Sequence, residues 1–180
     1  MAYRARPPVA MAHPAEWLAV IRIFVGLYFA KAVATKMTIM LVGGVVPVPA
    51  VQDRWVSVMP TIVAKQAAGN PLLFYKHFLE ETVLTHSDLF AHLTAWGEVV
   101  TGVGLTLGLL TGVASIAGLV LVINYGLATQ WMSPGQQGFH ILLFSLMVAF
   151  FFSRAGRTWG LDAWIATSKP KSPLTRRPFS

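Results

Sequence analysis

The sequence has 180 residues, of which 55% are hydrophobic and only 12% charged, and its formal net charge is +7. Soluble domains carry roughly 25% charged residues, so this chain has too few to cover a water-exposed surface. It contains no cysteine, which excludes disulfides, a CxxC redox pair and thiolate ligation of zinc or iron–sulfur clusters. The composition indicates an integral membrane protein whose redox chemistry, if any, uses a borrowed or diffusible cofactor.

The first apolar stretch predicts a membrane span over residues 17–36, preceded by a tail at 1–16. Arg22 interrupts this stretch, which favours an uncleaved span over a cleaved signal peptide. The apolar sequence continues past Lys36, so the helix could extend as far as Gly43-Gly44 before it breaks.

A long loop is predicted next, at about residues 42–87, and it is too long for a simple turn. Aromatic side chains favour the headgroup level of a bilayer, so we expect short helices along the membrane face. The aromatic residues on which this rests are Trp55, Phe74, Tyr75 and Phe78.

The rest of the chain predicts three further spans. No Asp, Glu, Lys or Arg occurs between Glu98 and Arg154, a run long enough for two spans of roughly 20 residues each. The predicted fold is all-α: an integral membrane four-helix bundle with a long extracytoplasmic loop between its first two helices. The remaining spans are placed at about 88–110, 113–131 and 138–153, and a basic tail with a short interfacial helix at 154–180.

Orientation follows from the positive charges outside the spans, which concentrate in the two tails. The tails hold Arg4, Arg6, Arg154, Arg157, Lys169, Lys171, Arg176 and Arg177, whereas the loop holds Arg54, Lys65 and Lys76. The positive-inside rule places both termini in the cytoplasm, which agrees with an even number of spans. The basic tail borders a membrane, so it predicts contact with anionic lipid and no nucleic-acid partner.

Small residues predict how the helices pack. Gly104, Gly108 and Gly112 form a GxxxGxxxG series, which is typical of close helix–helix contact in lipid. We expect the second and third helices to form a tight antiparallel hairpin through these residues. The alternative is that the glycines reflect only the general abundance of glycine in membrane helices.

Polar groups inside predicted spans are candidates for function, because each costs about 2.5 to 3.5 kcal/mol on insertion scales. Glu98, Asn124 and His140 each lie 12 positions from the cytoplasmic end of their span, a depth of roughly 18 Å at ~1.5 Å per residue. Lys31 lies slightly further out. The functional interpretation is a shared pocket, with Glu98 as the acid, Lys31 or His140 as its partner, and hydrogen bonds from Asn124, Tyr125 and Thr101.

Each partner also has a structural alternative. Lys31 could extend to the outer interface, His140 could be a hydrogen-bonded structural residue, and Asn124 could join two helices. Arg22 lies nearer the cytoplasmic side, where we expect a structural pair with Asp162. No metal site is predicted, since His140 alone offers at most one axial haem ligand.

Three segments resemble the DoxX/DoxD family of small bacterial and archaeal membrane proteins. Residues 22–36 resemble the family's first span, with Arg22, Gly26 and Lys36. Residues 97–111 (GEVVTGVGLTLGLLT) resemble its second-helix signature, and residues 155–162 (AGRTWGLD) its closing motif. The resemblance runs from about residue 17 to 165, and the loop is closest to the DoxD-like branch.

The resemblance implies an accessory membrane subunit of a redox complex in the bacterial or archaeal cytoplasmic (inner) membrane. Some members are similar to the small quinone-reducing subunit of thiosulfate:quinone oxidoreductase, so it implies quinone as a non-covalent cofactor and a larger redox subunit as partner. The competing hypothesis is a scaffold without chemistry that packs against a large membrane complex. A transporter is disfavoured, because no inverted repeat is visible.

Overall fold

The computed structural model describes residues 13–180 and is mostly helical. In chain order its elements are α1 (Pro14–Lys36), β1 (Met37–Val42), β2 (Val46–Val51), α2 (Asp53–Ala68), α3 (Leu73–His77) with a π-helical continuation (Phe78–Val83), α4 (Ser87–Leu107), α5 (Thr111–Thr129), α6 (Pro134–Ser153) and α7 (Leu161–Ser168), with 3-10 turns at Ala155–Arg157 and Pro173–Thr175. Most of the predicted N-terminal tail, including Arg4 and Arg6, lies outside the described residues.

Three helices within residues 13–180 are long and apolar enough to cross a membrane: α1, α5 and α6. The chain is therefore a membrane protein, as its composition predicted. Helix α4 is of similar length at 21 residues, but it carries Asp88, His92 and Glu98. A fourth span at α4 stays a prediction.

Residues 37–51 form a β-hairpin, which corrects the all-α expectation at the C-terminal end of α1. Strands β1 and β2 pair antiparallel from Met37↔Val51 to Val42↔Val46. The segment is rich in β-branched residues, which favour strands over helices. Gly43 and Gly44 adopt φ values of +63° and +75°, which a glycine accepts without strain, so the chain reverses there.

The predicted loop is a folded layer rather than an irregular connection. Helix α2, α3 and the π-helical turn share one apolar cluster with α4 and α5, centred on Met59, Tyr75, Leu79, Ala91 and Ala128. Burial of this apolar face holds these elements, called the outer layer below, against the start of α4 and the end of α5. Whether it also lies along the membrane surface stays a prediction.

Each of the four long helices has at least one end that differs from its predicted position, and for two of these ends the structure shows the cause. Helix α4 ends at Leu107 because Gly108, with φ +62°, caps it in the left-handed conformation. Helix α6 begins at Pro134, where the Ser133 hydroxyl accepts a hydrogen bond from the Gln136 amide. Helix α6 is thus 20 residues long, four more than the predicted span at 138–153.

The closest helix contact joins α1 to α4 and uses glycines that the sequence analysis did not assign to it. A Cβ placed on Gly102 would lie 2.5 Å from the backbone nitrogen of Ala30, and one on Gly26 would overlap the backbone of Thr106. The two backbones therefore touch without intervening side chains.

Only one glycine of the GxxxGxxxG series packs as predicted. A Cβ on Gly104 would lie 2.6 Å from the Cβ of Ala114, so Gly104 does face α5. Gly108 instead packs on the Arg22 guanidinium and on Gly160, and Gly112 packs on the C-terminal segment, where its amide donates to the Phe179 carbonyl. The reason is that α4 ends before Gly108, so the helical spacing no longer applies.

Arg22 and Asp162 hold the α4–α5 turn from opposite sides, and no direct ion pair joins the two side chains. The Arg22 guanidinium donates to the carbonyls of Leu105, Thr158 and Trp159, at 2.7, 3.4 and 3.1 Å. The Asp162 carboxylate accepts from the amides of Leu110 and Thr111, at 2.8 and 2.9 Å. Each charge thus meets the helix terminus of opposite partial charge.

Candidate functional site

Glu98 and Lys36 form an ion pair between α4 and α1. The Lys36 Nζ lies 2.6 Å from Glu98 Oε2, and the two side chains are 14% and 10% exposed. The Tyr125 hydroxyl on α5 donates to the other carboxylate oxygen, Oε1, at 2.6 Å. Hydrogen bonds to a charged group are shorter and stronger than neutral ones, so three helices are tied together at this carboxylate.

Lys36 replaces the predicted partner Lys31 because of the direction in which helical side chains lean. Gly102 packs against Ala30 in the antiparallel α1–α4 pair, so Glu98, four residues further out, lies level with about residue 34. Helical side chains lean towards the helix N-terminus. Lys36 therefore reaches back to Glu98, whereas Lys31 leans away from it and stays exposed.

Trp55 of α2 covers this ion pair on the outer side. The Lys36 ammonium lies 4.0 Å from the centroid of the Trp55 ring, a cation–π contact. The indole nitrogen donates to the Ala91 carbonyl on α4 at 3.0 Å, which fixes the ring. The outer layer thus contributes directly to the environment of the charged pair.

A cavity of about 200 Å³ opens beside Glu98. Residues of α1 and α6 form its walls, and Glu98 and Tyr125 reach it from the two other helices. The lining residues are Tyr28, Phe29, Lys31, Ala32, Thr35, Lys36, Glu98, Tyr125, Phe139, His140 and Leu143. The cavity combines aromatic and aliphatic walls with polar groups, as small-molecule sites commonly do.

His140 lines this cavity, but it is not hydrogen-bonded to Glu98. Its Nδ1 lies 2.7 Å from the Gln136 carbonyl. A carbonyl only accepts, so Nδ1 carries the hydrogen of this bond. The structure therefore brings Glu98, Tyr125, Lys31 and His140 around one space.

Asn124 and Thr101 lie elsewhere. The Asn124 side chain accepts from the Tyr75 hydroxyl at 3.1 Å and donates to the Val120 carbonyl. Asn124 and Tyr125 are neighbours on α5, about 100° apart around the helix, so only one of them faces the cavity. The Thr101 hydroxyl donates to the Gly97 carbonyl, and its methyl group packs at Gly118.

Tyr75 anchors the outer layer to α5. Its hydroxyl also lies 3.0 Å from the Asn124 backbone carbonyl. Burial raises the pKa of Tyr75 to about 12, because an ionised phenol is poorly solvated there. The phenol therefore stays a hydrogen-bond donor at neutral pH.

The sequence analysis missed Lys36, Trp55 and Tyr28 as site residues. Tyr28, Ala32 and Lys36 recur at four-residue spacing on α1, which puts them on one helix face. That periodicity was a usable signal for Lys36 and Tyr28. Trp55 gave none, because its position depends on how α2 folds back. Within residues 13–180, no group of three His, Cys, Asp or Glu side chains is placed to hold a metal ion.

Comparison with known proteins identifies the family. Residues 17–173 match the sequence model of the family described as the TQO small subunit DoxD. No curated protein and no solved structure matches the chain. The DoxX/DoxD resemblance is thereby narrowed to one branch. Because the match covers most of its length, the chain belongs to the DoxD family.

Proposed function

We propose that this chain is the accessory subunit of a membrane redox complex and that the cavity beside Glu98 receives the headgroup of a quinone. The family is described as the small subunit of TQO, an oxidoreductase, and this description supports an accessory role beside a larger subunit. The observation that carries the quinone proposal is the Lys36–Glu98–Tyr125 cluster on the wall of a cavity.

The size and chemistry of the cavity fit a ring bearing two carbonyl groups. Drug-sized ligands occupy roughly 300–1,000 Å³, and this space of about 200 Å³ suits one headgroup whose tail stays in lipid. Phe29, Phe139 and Leu143 offer apolar walls. Lys31 and Lys36 can donate hydrogen bonds to carbonyl oxygens, since an ammonium only donates.

Reduction of a quinone to a quinol takes up two electrons and two protons. The electrons come from the larger redox subunit in this proposal. The two protons come from water by way of groups of this chain that take up a proton and pass it to the ring, and Glu98 and His140 are the candidates. Lys36 and Tyr125 hold the Glu98 carboxylate in place, and Trp55 limits the access of water to the pair.

The proposal is tested by quinone binding to two tyrosine variants of the reconstituted protein. Tyr125→Phe removes the hydroxyl bonded to Glu98, whereas Tyr75→Phe removes a hydroxyl bonded to Asn124 outside the cavity. We expect a short-chain ubiquinone to quench tryptophan fluorescence in the wild type and in Tyr75→Phe, and to bind Tyr125→Phe at least several-fold more weakly.

Two results would contradict the quinone proposal. One is the absence of any saturable quenching in folded wild-type protein, and the other is equal affinity in all three proteins. Either result would favour the scaffold hypothesis, in which the cluster only joins helices. Copurification of a quinone and a redox subunit from native membranes would provide independent support.

The orientation and the fourth span are part of the proposal. We infer that α4 also crosses the membrane, that the outer layer is extracytoplasmic and that both termini are cytoplasmic, from the charge asymmetry of the sequence. Alkaline phosphatase fused within the outer layer, after Lys65, should be active, and the same enzyme fused after Lys171 should be inactive. The reverse pattern would mean an inverted chain.

A further inference from the structure

The hairpin β1–β2 exposes an unusual amount of apolar surface. Residues 37–51 contain no charged side chain. At the tip, Val45 is 80% exposed, and Ile39 on β1 is 72% exposed. Only the base is buried, where Met37 and Val51 pack against Ala95 of α4. The rest of the hairpin therefore extends away from the bundle, and no contact from residues 13–180 covers it.

Both faces of the hairpin carry this apolar surface. Directly paired residues share a face, so Ile39 and Leu41 lie on one face with the two prolines of β2. Met40 and Val42 lie on the other face with Val46 and Val48. The exposed fractions of Leu41 and Met40, one from each face, are 56% and 55%. A single flat protein partner would cover only one of these faces.

The prolines also modify the outer edge of β2. Pro47 and Pro49 are two residues apart, so both nitrogens point to the same edge, and proline is accepted in a strand where its nitrogen faces away from the partner strand. Two amide donors that water or another strand would have to satisfy are thus absent. This edge is a poor template for strand addition. Its transfer from water to lipid also costs less free energy than that of a strand edge with all its amide donors.

We propose that the hairpin inserts into the headgroup region of the lipid bilayer around the bundle. It follows directly on α1, whose outward side chains Phe24 and Leu27 are 68% and 51% exposed on a helix apolar enough to span the membrane. The apolar surface is therefore continuous from the span into the hairpin. This inference is independent of the proposed quinone function.

The depth of insertion follows from the backbone. The edge of β1 keeps its unpaired amide and carbonyl groups, which the hydrocarbon core cannot satisfy. Headgroups and their water can satisfy them, so the hairpin lies in the interface while its apolar side chains reach the upper acyl chains. Lipid covers both faces at once, which a docked subunit would not do.

The test uses single cysteines, because the chain contains none. Val45→Cys carries an environment-sensitive fluorophore in full-length protein reconstituted in vesicles of phosphatidylethanolamine and phosphatidylglycerol. Leu142→Cys on α6, 57% exposed in the wild type, is the lipid reference. Glu81→Cys on the π-helical turn, exposed and acidic in the wild type, is the water reference. All three positions are exposed, so the substitutions should not disturb folding.

We expect the Val45 probe to emit at shorter wavelength than the Glu81 probe and to lose more intensity to lipids with a shallow quencher than to lipids with a deep one. The Leu142 probe should respond to the deep quencher. Emission at position 45 like that at position 81 overturns the proposal. A short-wavelength emission that neither lipid quenches also overturns it, because the hairpin is then covered by protein.

Discussion

Two regions of the bundle bury charged side chains, and they differ in what surrounds the charge. At one end, Arg22 and Asp162 are 0% and 2% exposed, and they bond to backbone groups of the α4–α5 turn. At the other end, Glu98 bonds to Lys36 and Tyr125, which are side chains from two other helices. The first arrangement is closed, whereas the second borders a cavity.

The difference shows that burial of charge alone does not mark a functional site. Backbone groups cannot exchange protons usefully at neutral pH, so a charge satisfied by them serves to hold a turn. A charge satisfied by other ionisable side chains, next to space for a ligand, can change partners. Variants at the two ends should therefore separate stability from ligand binding.

The largest expected effect is that of Asp162→Ala. It removes two hydrogen bonds between a carboxylate and backbone amides, each worth roughly 1.5 to 3 kcal/mol, so the free energy of unfolding should fall by about 3 to 6 kcal/mol. Unfolding in SDS mixed micelles measures it. Quinone binding by the fraction that remains folded should be unchanged. A stable Asp162→Ala protein would show that the turn does not depend on this carboxylate.

Glu98→Gln should have the next largest effect on stability. It leaves the Lys36 ammonium buried without a counter-charge, which should cost about 3 kcal/mol, the lower end for broken buried pairs. Adding Lys36→Gln should recover most of this loss, because both charges then leave together.

The double variant also separates chemistry from packing. Under the proposed function, the protein with both Glu98→Gln and Lys36→Gln assembles but binds quinone weakly and supports no turnover with its redox partner, since an amide cannot carry the proton. Full activity in the assembled double variant would leave the ion pair with a structural role only.

Gly102→Ala tests the close contact between α1 and α4, the two helices that carry the Lys36–Glu98 pair beside the cavity. A Cβ there would meet the backbone of Ala30 at 2.5 Å, so α1 and α4 must separate, at a cost of about 1 to 3 kcal/mol. Gly126→Ala is the matched control, because its Cβ would lie 3.4 Å from the His140 Cβ. Equal unfolding free energies for the two variants would mean that the α1–α4 contact is not tight.

The smallest expected change in the free energy of unfolding is that of Tyr75→Phe, a residue that lies outside the cavity. Its pKa is raised from 10.0 to about 12 in the folded protein. The unfolded phenol ionises first, so this contribution to stability is complete below about pH 10 and is lost as the pH rises to about 12. Tyr75→Phe should cost about 1 kcal/mol at neutral pH. Unfolding titrations from neutral to alkaline pH should show that the variant lacks this part of the decline, and parallel pH curves would contradict it.

The sequence predicted the helices and the level of the cavity, because helical rise and apolar spacing are local properties. Counting residues brought Glu98, Asn124 and His140 to one height, whereas the structure puts Tyr125, the neighbour of Asn124, at the cavity. It did not decide which lysine pairs with Glu98, because that depends on the lean of the side chains and on the α1–α4 register, which Gly102 sets. It likewise could not choose between Asn124 and Tyr125, since the rotation of α5 is fixed by packing.

Residues 37–51 escaped prediction for a different reason. Their apolar composition is compatible with a continued helix, and only the combination of β-branched residues, Gly43-Gly44 and alternate prolines favours a hairpin. The π-helical turn at Phe78–Val83 left no sequence signal, because it is a local adjustment to packing.

The Lys36–Glu98 contact also has a consequence for biosynthesis. The two residues are 62 positions apart in the chain. At roughly 5 to 20 residues per second, ribosomes need about 3 to 12 s to make that length. Because the chain leaves the ribosome in order, Lys36 emerges that long before its acidic partner Glu98. The nascent chain must therefore keep this charge at the membrane surface until α4 arrives, and the cavity is completed only in the second half of synthesis.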